Sequence, residues 1–249
     1  MFFRTLLRMV ATPALWILPL DSLLRSSQYF GSAAATLLFY RDWRLQRDSH
    51  PMFFKHQINL SRWPFEPGRW SFAARGVYAR ETMFKGCAVL DLCCGDGSYS
   101  RLFFSDIAGR IDAVDHDQNA LTYARRHNAG PAIAYHDIDI VNQPLPPVKY
   151  DVVVWNAAIC YFETAEIRSI LQKIVQAGAP AMTLTGMLPR ASGYVDHKTE
   201  FADTEAVKRL LAEYWQQVTV KEVDEVSAVN FYFQAAQPIA RAVAGTNST

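Results

Sequence analysis

The sequence has few cysteines, and none of them is spaced for a metal site or a disulfide framework. Its 249 residues include four, Cys87, Cys93, Cys94 and Cys160, and no pair has the Cys-x-x-Cys spacing that zinc sites use. Buried, reduced thiols in a cytoplasmic protein are therefore the prediction, and no metal is expected.

An excess of charge of either sign is also absent. Lys and Arg together number 25, Asp and Glu number 24, and the formal net charge is +1. This balance gives no general electrostatic reason to expect a nucleic-acid partner. Half of the residues are hydrophobic, so the chain is rich enough in apolar side chains to build a core, and global disorder is excluded.

No hydrophobic run is long enough for a comfortable transmembrane helix. The apolar stretch at residues 9–20 follows two arginines and is interrupted by Pro13 and Pro19. Three interpretations stay open: a peripheral membrane contact through residues 1–24, packing on the same domain or a partner chain, and a signal peptide, although no convincing cleavage site follows. The expected localisation is cytoplasmic, with membrane-peripheral attachment as the variant of it.

The composition and the residue pattern of the chain change near Gly86. Residues 1–85 are rich in aromatic residues and arginine and are predicted to form a helical or irregular N-terminal extension, whereas residues 86–249 alternate strand and helix patterns. Such alternation predicts an α/β domain with a doubly wound, mostly parallel seven-stranded sheet. The last two strand patterns have no helix between them, so the last strand is expected to run antiparallel. The predicted strands are AVLDL, RIDAVD, AIAYHD, YDVVVWN, AMTLTG, QQVTVKEV and NFYFQAAQ.

A sharp bend follows the first predicted strand, in the segment DLCCGDGSYS. Gly95 and Gly97 allow the backbone angles of such a bend and let the main chain approach a ligand closely. Asp91 stands at the start of the bend, where a carboxylate suits an ammonium and a sulfonium group better than a pyrophosphate. S-adenosylmethionine carries both groups and is the cofactor that these residues favour.

Two further strand ends carry groups that a nucleoside needs. Asp115 ends the second strand, roughly 20 residues after the bend, where an acid binds the ribose hydroxyls in doubly wound sheets. Asp137 ends the third strand, and Ile138 follows it, so this pair can offer adenine a polar contact and an apolar surface. His116, directly after Asp115, is expected at the rim of the cofactor.

These segments resemble the successive motifs of the class I S-adenosylmethionine-dependent methyltransferases over about residues 86–237. The resemblance implies a methyltransferase, and it implies a cofactor contact for each matching position. These are Asp91, Cys93, Gly95 and Gly97 for the methionine part, Asp115 for the ribose, Asp137 and Ile138 for the adenine, and Asn156 for the methyl-donor pocket. At Cys93 the commoner family pattern has glycine, and we interpret the cysteine as a variant turn.

Residues outside these motifs are candidates for the carboxylate of the cofactor and for the acceptor. Arg75 lies in a segment that resembles the helix before the first strand in many such enzymes, where it would meet the cofactor carboxylate; a solvated helix residue is the alternative. Tyr161, just past the fourth strand, and His197, after the fifth, are the candidate catalytic residues, His197 by taking a proton or positioning the acceptor. The N-terminal extension is expected to cap the acceptor pocket. A small molecule, a sugar or a lipid-linked group is the expected acceptor.

Two other functions compete with this one. An NAD(P)-dependent oxidoreductase would use Tyr194 and Lys198, which have the Tyr-x-x-x-Lys spacing of short-chain dehydrogenases, but the glycine pattern of that family is absent near the first strand. A non-catalytic cofactor-binding or membrane-surface subunit would keep the same carboxylates without turnover. Binding of S-adenosylmethionine against NAD(P) separates the first alternative, and release of S-adenosylhomocysteine separates the second.

Overall fold

The computed structural model describes residues 70–190, 197–225 and 228–239. From Trp70 onward these residues form one compact unit. The predictions for residues 1–24 and for the rest of the extension up to residue 69 lie outside the described residues, and the predicted domain boundary at residue 85 stays a prediction. Within the described ranges, no helix is long and apolar enough to cross a membrane.

Strands and helices alternate along the described chain. The helical elements are α1 (Trp70–Arg80), a π-helical turn (Ser100–Phe104), α2 (Gln118–His127), a 3-10 turn (Ile159–Tyr161), α3 (Thr164–Ala177) and α4 (Thr204–Ala212). The strands are β1 (Ala88–Leu92), β2 (Arg110–Asp115), β3 (Ile133–Asp137), β4 (Tyr150–Asn156), β5 (Gly178–Pro189), β6 (Trp215–Glu225) and β7 (Ala228–Pro238).

The strands form one seven-stranded sheet in the order β3-β2-β1-β4-β5-β7-β6. The strands from β1 to β5 pair in parallel, whereas β7 runs antiparallel to both β5 and β6. The predicted doubly wound, mostly parallel sheet with an antiparallel last strand is therefore confirmed. The strand order reverses at β1, which lies between β2 and β4, and a crevice for a ligand forms at such a point in open α/β sheets.

The centre of the sheet is buried because its strands are almost wholly apolar. Apart from Asp91, Asp151 and Asn156, β1 and β4 consist of aliphatic and aromatic residues, as parallel strands covered on both faces require. The main core packs one face of the sheet against α3 and α4, whose apolar stripes lie every three or four residues. Its members include Trp155, Leu184, Phe233, Ile167, Ile170, Leu171, Ile174, Val207 and Leu211. On the other side, α1 contacts β5 and the π-helical turn.

Polar side chains fix where two helices begin. Asp117 precedes α2, and its carboxylate accepts the backbone N–H groups of Asn119 and Ala120. Glu163 precedes α3 and forms a reciprocal capping pair with Glu166. Both caps accept backbone N–H groups that the first turn of a helix leaves unpaired. They therefore fix the residues at which the loops after β2 and β4 pass into α2 and α3.

The structure departs from the predicted elements in a few places. The segment after the bend continues as a π-helical turn at Ser100–Phe104 rather than as a longer regular helix. β5 extends three residues beyond the predicted strand on each side, to Gly178 and Pro189. Among the described strands, β6 is the outermost one and pairs with β7; it exposes Lys221, Glu222 and Asp224.

Candidate active site

The bend after β1 needs three residues with positive φ. They are Cys93 at 54°, Gly95 at 55° and Gly97 at 72°. Glycine takes such angles without strain, whereas a residue with a Cβ adds a cost of about 1 kcal/mol. Cys93 therefore adopts a backbone angle that favours glycine, which agrees with its interpretation as a variant of a glycine turn.

Gly97 is required for a second reason, namely the closeness of Tyr135. A Cβ placed at Gly97 would overlap the hydroxyl and ring of Tyr135, which comes from β3. The bend thus has no room for a side chain at this position.

Asp91 is the least compensated carboxylate of the site. Its exposure is 3%, and the Ser100 hydroxyl donates to Asp91 Oδ2 at 2.6 Å. Burial raises the pKa of Asp91 to about 7 against the opposing effect of the Ser100 hydrogen bond, and the nearby carboxylates of Asp115 and Asp96 raise it further. A cation placed beside Asp91 would stabilise its ionised form.

Asp115 holds the bend and its own loop together. Its Oδ2 accepts the N–H of Gly95 at 2.8 Å, and its Oδ1 accepts the N–H groups of His116 and Asp117 at 2.8 and 2.9 Å. The structure therefore brings Asp115 to the glycine bend, as the sequence predicted. The His116 imidazole is exposed beside it, with Nδ1 4.0 Å from Asp115 Oδ1.

Asp137 and Ile138 lie next to Asp115 across the sheet. Asp137 pairs in register with Asp115, and the N–H of Ile138 donates to the Asp115 carbonyl at 2.9 Å. The exposed Asp137 carboxylate accepts a hydrogen bond from the Gln118 side chain, and Ile138 is half-buried. The predicted ribose and adenine contacts thus form one continuous edge.

Asn156 ends β4 and marks the other side of the crevice. It pairs in register with Met187 of β5, which pairs in turn with Tyr232 of β7, so the three side chains lie side by side. Among the described residues, the buried Nδ2 of Asn156 has no hydrogen-bond partner. A buried donor without a partner is costly, so this amide is a candidate contact for a ligand.

The two predicted catalytic residues lie together. Tyr161 ends the 3-10 turn after β4, and the ring of His197 meets it edge to face, with centroids 5.4 Å apart and planes at 81°. Backbone hydrogen bonds hold the segment of His197 there, because the N–H groups of Lys198 and Thr199 donate to the Cys160 carbonyl at 2.8 and 3.2 Å. The placement of this pair could not be read from a separation of 36 residues in sequence.

Arg75 lies on α1, close to Tyr99 of the segment that follows the glycine bend. Its positive charge opposes the rise that burial causes in the pKa of the half-buried Tyr99. Tyr78, one turn further along α1, packs edge to face on Tyr232 at 5.0 Å. Its buried hydroxyl has no hydrogen-bond partner among the described residues, and burial raises its pKa to about 12.

Sequence reasoning missed several residues that border this crevice. Ser100 stands within the quoted motif, and its spacing from Asp91 was a usable signal, but Tyr78 and Tyr232 carry none because tertiary packing alone joins them. In residues 70–190, 197–225 and 228–239, no group of three or more His, Cys, Asp or Glu side chains is placed to hold a metal ion.

Known proteins resemble this chain in both sequence and fold. A family model described as a methyltransferase domain matches residues 89–181. Uncharacterized methyltransferases of Mycobacterium bovis and Mycobacterium tuberculosis are 30% identical to it over 137 residues, which cover 53% of this chain and 68% of theirs.

Solved structures with a similar fold include two complexes with S-adenosylhomocysteine. The N-methyltransferase NodS from Bradyrhizobium japonicum WM9 in complex with S-adenosyl-L-homocysteine superposes with a TM-score of 0.60 at 15% identity, over 82% of this chain and 99% of NodS. The DhpI complex with S-adenosylhomocysteine gives 0.57 at 21% identity, over 73% and 93% of the two chains. At these identities the superpositions establish a shared fold.

Proposed function

This chain belongs to the class I S-adenosylmethionine-dependent methyltransferases, and on that premise we propose that it methylates a small molecule, a sugar or a lipid-linked acceptor. Membership of this family means that the chain is an enzyme and that its cofactor is S-adenosylmethionine. The NAD(P)-dependent alternative is set aside because the matching family model and the relatives are methyltransferases. Of its two residues, Tyr194 lies outside the described residues, and the exposed Lys198 lies 3.7 Å from Glu166 in an ion pair.

The described residues fit S-adenosylmethionine. A buried carboxylate that is hydrogen-bonded to the Ser100 hydroxyl suits an ammonium group, the main chain at Gly95 faces open space, and the Asn156 amide nitrogen has no partner among the described residues. When bound, the cofactor supplies a sulfonium methyl group that is already activated for in-line displacement. We predict that Asp91, Gly95 and Gly97 hold its amino-acid part, in agreement with their roles in the family.

The remaining cofactor roles follow the same edge of the sheet. We predict that Asp115 binds the ribose, with His116 at the rim, and that Asp137 and Ile138 contact the adenine. Arg75 is proposed to bind the cofactor carboxylate, because its guanidinium lies beside Tyr99 on the Asp91 side of the sheet. Cys93 shapes the turn, and its buried thiol has a pKa raised well above its usual value, so it stays neutral.

The observation that carries the acceptor proposal is a pair of buried, uncharged hydrogen-bond donors, the Asn156 amide at the end of β4 and the Tyr78 hydroxyl on α1. Asn156 and Tyr78 each bury a donor that has no partner among the described residues, and the phenol of Tyr78 stays protonated because its pKa is raised to about 12. A neutral acceptor with hydroxyl, ether or carbonyl oxygens would satisfy these donors. A small molecule or a sugar ring has this chemistry, as does the head of a lipid-linked glycan.

His197 is proposed to receive or orient the proton of the acceptor, with Tyr161 holding its ring. Methyl transfer needs mainly alignment and exclusion of water, and a base helps when the acceptor is a hydroxyl or a protonated amine. The edge-to-face contact and the two hydrogen bonds to the Cys160 carbonyl fix the imidazole relative to β4.

Transfer of radiolabel tests the proposal. The purified protein is incubated with S-adenosylmethionine labelled in its methyl group and with a cell extract separated into small molecules, lipids, protein and nucleic acid. Label in the small-molecule or lipid fraction supports the proposal, whereas label confined to protein or nucleic acid overturns it. On the acceptor so found, His197→Ala should lower kcat by about a hundredfold, with Lys208→Ala, an exposed position on α4, as the control.

The location of the enzyme is a separate proposal. We propose a cytoplasmic enzyme with a peripheral membrane contact through residues 1–24, supported by the arginines and apolar residues of that segment. Removal of residues 1–24 should move the protein from sedimenting vesicles to the supernatant without changing its affinity for S-adenosylhomocysteine. Equal sedimentation of both forms would refute the membrane contact.

A further inference from the structure

The Asp96–Gly97 peptide of the glycine bend is held at both of its polar atoms. The Asp96 carbonyl accepts a hydrogen bond from Asn128 Nδ2 at 2.7 Å, and the Gly97 N–H donates to the Cys94 carbonyl at 3.0 Å. Because a peptide unit is planar, fixing both atoms fixes its orientation. Asn128 therefore sets the shape of a bend that lies 32 residues earlier in the chain.

The side chain of Asp96 turns inward rather than toward a ligand. Its Oδ1 accepts the Ser98 N–H at 3.0 Å, and its Oδ2 accepts the Ser98 hydroxyl at 2.8 Å. Asn128 Nδ2 also lies 3.5 Å from the Ser98 hydroxyl. The Asp96–Ser98 part of the bend is thus closed by hydrogen bonds, and Asn128 contributes to it from outside the bend, as Asp115 does at Gly95.

Asn128 is in turn fixed by two elements. Its N–H donates to the Ala124 carbonyl at the end of α2, and its own carbonyl accepts the Tyr135 hydroxyl of β3 at 2.8 Å. The same hydroxyl occupies the space that a side chain at Gly97 would need. Asn128 and Tyr135, which we call the loop brace, therefore support the bend by a hydrogen bond and by contact.

We propose that the loop brace positions the glycine bend for the amino-acid part of the cofactor. The inference rests on the proposed roles of Gly95 and Gly97. Asn128 and Tyr135 act on the bend through the hydrogen bond to the Asp96 carbonyl and the contact at Gly97, so they are positioning residues. Binding energy is gained when a site is held in its bound shape beforehand, and loss of the brace makes binding bear the cost of ordering the bend.

The test compares two ligands that differ in the amino-acid part. S-adenosylhomocysteine contains it, whereas 5′-methylthioadenosine has the same adenosine without it. Calorimetry on the full chain should show that Asn128→Ala raises the Kd of S-adenosylhomocysteine about twentyfold, because the buried Asp96 carbonyl loses its partner. Tyr135→Phe should raise it about fivefold, and the Kd of 5′-methylthioadenosine should change less than about twofold in both variants.

Two matched variants control for ordinary side-chain loss. Asn119→Ala makes the same change at an exposed position of α2, and Tyr123→Phe keeps the ring that stacks on His127. Both should bind the two ligands as the unchanged protein does. Amide hydrogen exchange at Gly97 should accelerate in Tyr135→Phe and Asn128→Ala and stay unchanged in the controls.

Equal weakening of both ligands, or of neither, overturns the proposal, because a general loss of structure does not distinguish the two ligands. Tyr135→Phe removes a single oxygen atom, so it decides the question alone if Asn128→Ala does not fold. Failure of the unchanged protein to bind S-adenosylhomocysteine would instead remove the proposed cofactor roles of the bend, which is a different result.

Discussion

Two buried aspartates on neighbouring strands differ in how many hydrogen-bond partners surround them. Asp112, in the middle of β2, is fully buried and accepts from Arg110 Nε at 2.7 Å and from the Tyr150 hydroxyl at 3.0 Å, with His136 Nε2 at 2.7 Å. Asp91, on β1, is buried to a similar degree and accepts a hydrogen bond from the Ser100 hydroxyl.

The pKa values follow from these partners. Burial pushes the pKa of Asp112 upward, but the hydrogen bonds from Arg110, His136 and Tyr150 outweigh it and leave the pKa below its usual value. For Asp91, burial prevails over the Ser100 hydrogen bond, and the pKa rises to about 7. A buried carboxylate with several hydrogen-bond donors around it stabilises the fold. A buried carboxylate with too few donors is suited to binding a cationic ligand.

The largest effect is expected from Asp91→Asn. The variant keeps an oxygen for the Ser100 hydroxyl but loses the charge that faces the cofactor ammonium, so the Kd of S-adenosylhomocysteine should rise about a thousandfold. Thermal unfolding of the ligand-free protein should occur at the same or a higher temperature. A change in Kd of less than about fivefold would remove Asp91 from the site.

Asp112→Asn should give the reverse result. An amide cannot satisfy the three donors around it, so urea unfolding should show a loss of about 2–3 kcal/mol in the free energy of unfolding. The Kd of S-adenosylhomocysteine should change less than about threefold. The contrast between the two aspartates would fail if binding fell as steeply here as in Asp91→Asn.

The raised pKa of Asp91 should make both stability and ligand binding depend on pH, with a smaller effect than the two substitutions above. Because the pKa of Asp91 is raised to about 7, the folded, ligand-free protein holds a proton between about pH 4 and 7 that the unfolded chain releases, so this residue lowers stability as the pH rises through that window. Ligand binding favours the ionised form, and the Kd of S-adenosylhomocysteine should fall about tenfold from pH 6 to pH 8.

The two aspartates differ in this titration as well. The lowered pKa of Asp112 contributes stability that is present above the usual pKa of an aspartate and is lost in acid, outside the range from pH 6 to 8. Calorimetry should therefore find the pH dependence of binding unchanged in Asp112→Asn and absent in Asp91→Asn. An equal slope in both variants would assign the dependence to another group.

The smallest effect is expected from Cys93→Gly. Glycine removes the strain of a φ of 54° but is more flexible in the unfolded chain, so the free energy of unfolding should change by less than about 1 kcal/mol. The Kd of S-adenosylhomocysteine should stay within about threefold. A large loss of binding would show that the thiol itself contacts the ligand.

The strands could be predicted because the pattern of apolar residues within each segment is enough to identify it as a strand. The bounds predicted for β1, β2 and β4 are confirmed, since each is an apolar run ended by an acid, an amide or a turn. The placement of Asp91 and Asp115 at a common edge followed from the same pattern, because the carboxyl ends of parallel strands meet there.

The contacts between distant residues were not predictable in this way. Asp112 stands inside a strand pattern, and its partners His136 and Tyr150 lie 24 and 38 residues away. The loop brace was not predictable for the same reason. In the sequence Asn128 only marks the end of a helix pattern, and its hydrogen bond to the bend depends on how α2 packs. The π-helical turn also carries no periodic signal that separates it from a regular helix.

Within the described part of the chain, β6 is the border strand of the sheet, beside the antiparallel β7. Unpaired backbone groups on such a border can recruit a strand from another molecule and begin aggregation. Lys221, Glu222 and Asp224 place charges of both signs along this border, and a strand approaching it would have to strip water from them. Neutralising these three side chains should therefore shorten the shelf life of a concentrated sample while its catalytic centre remains intact.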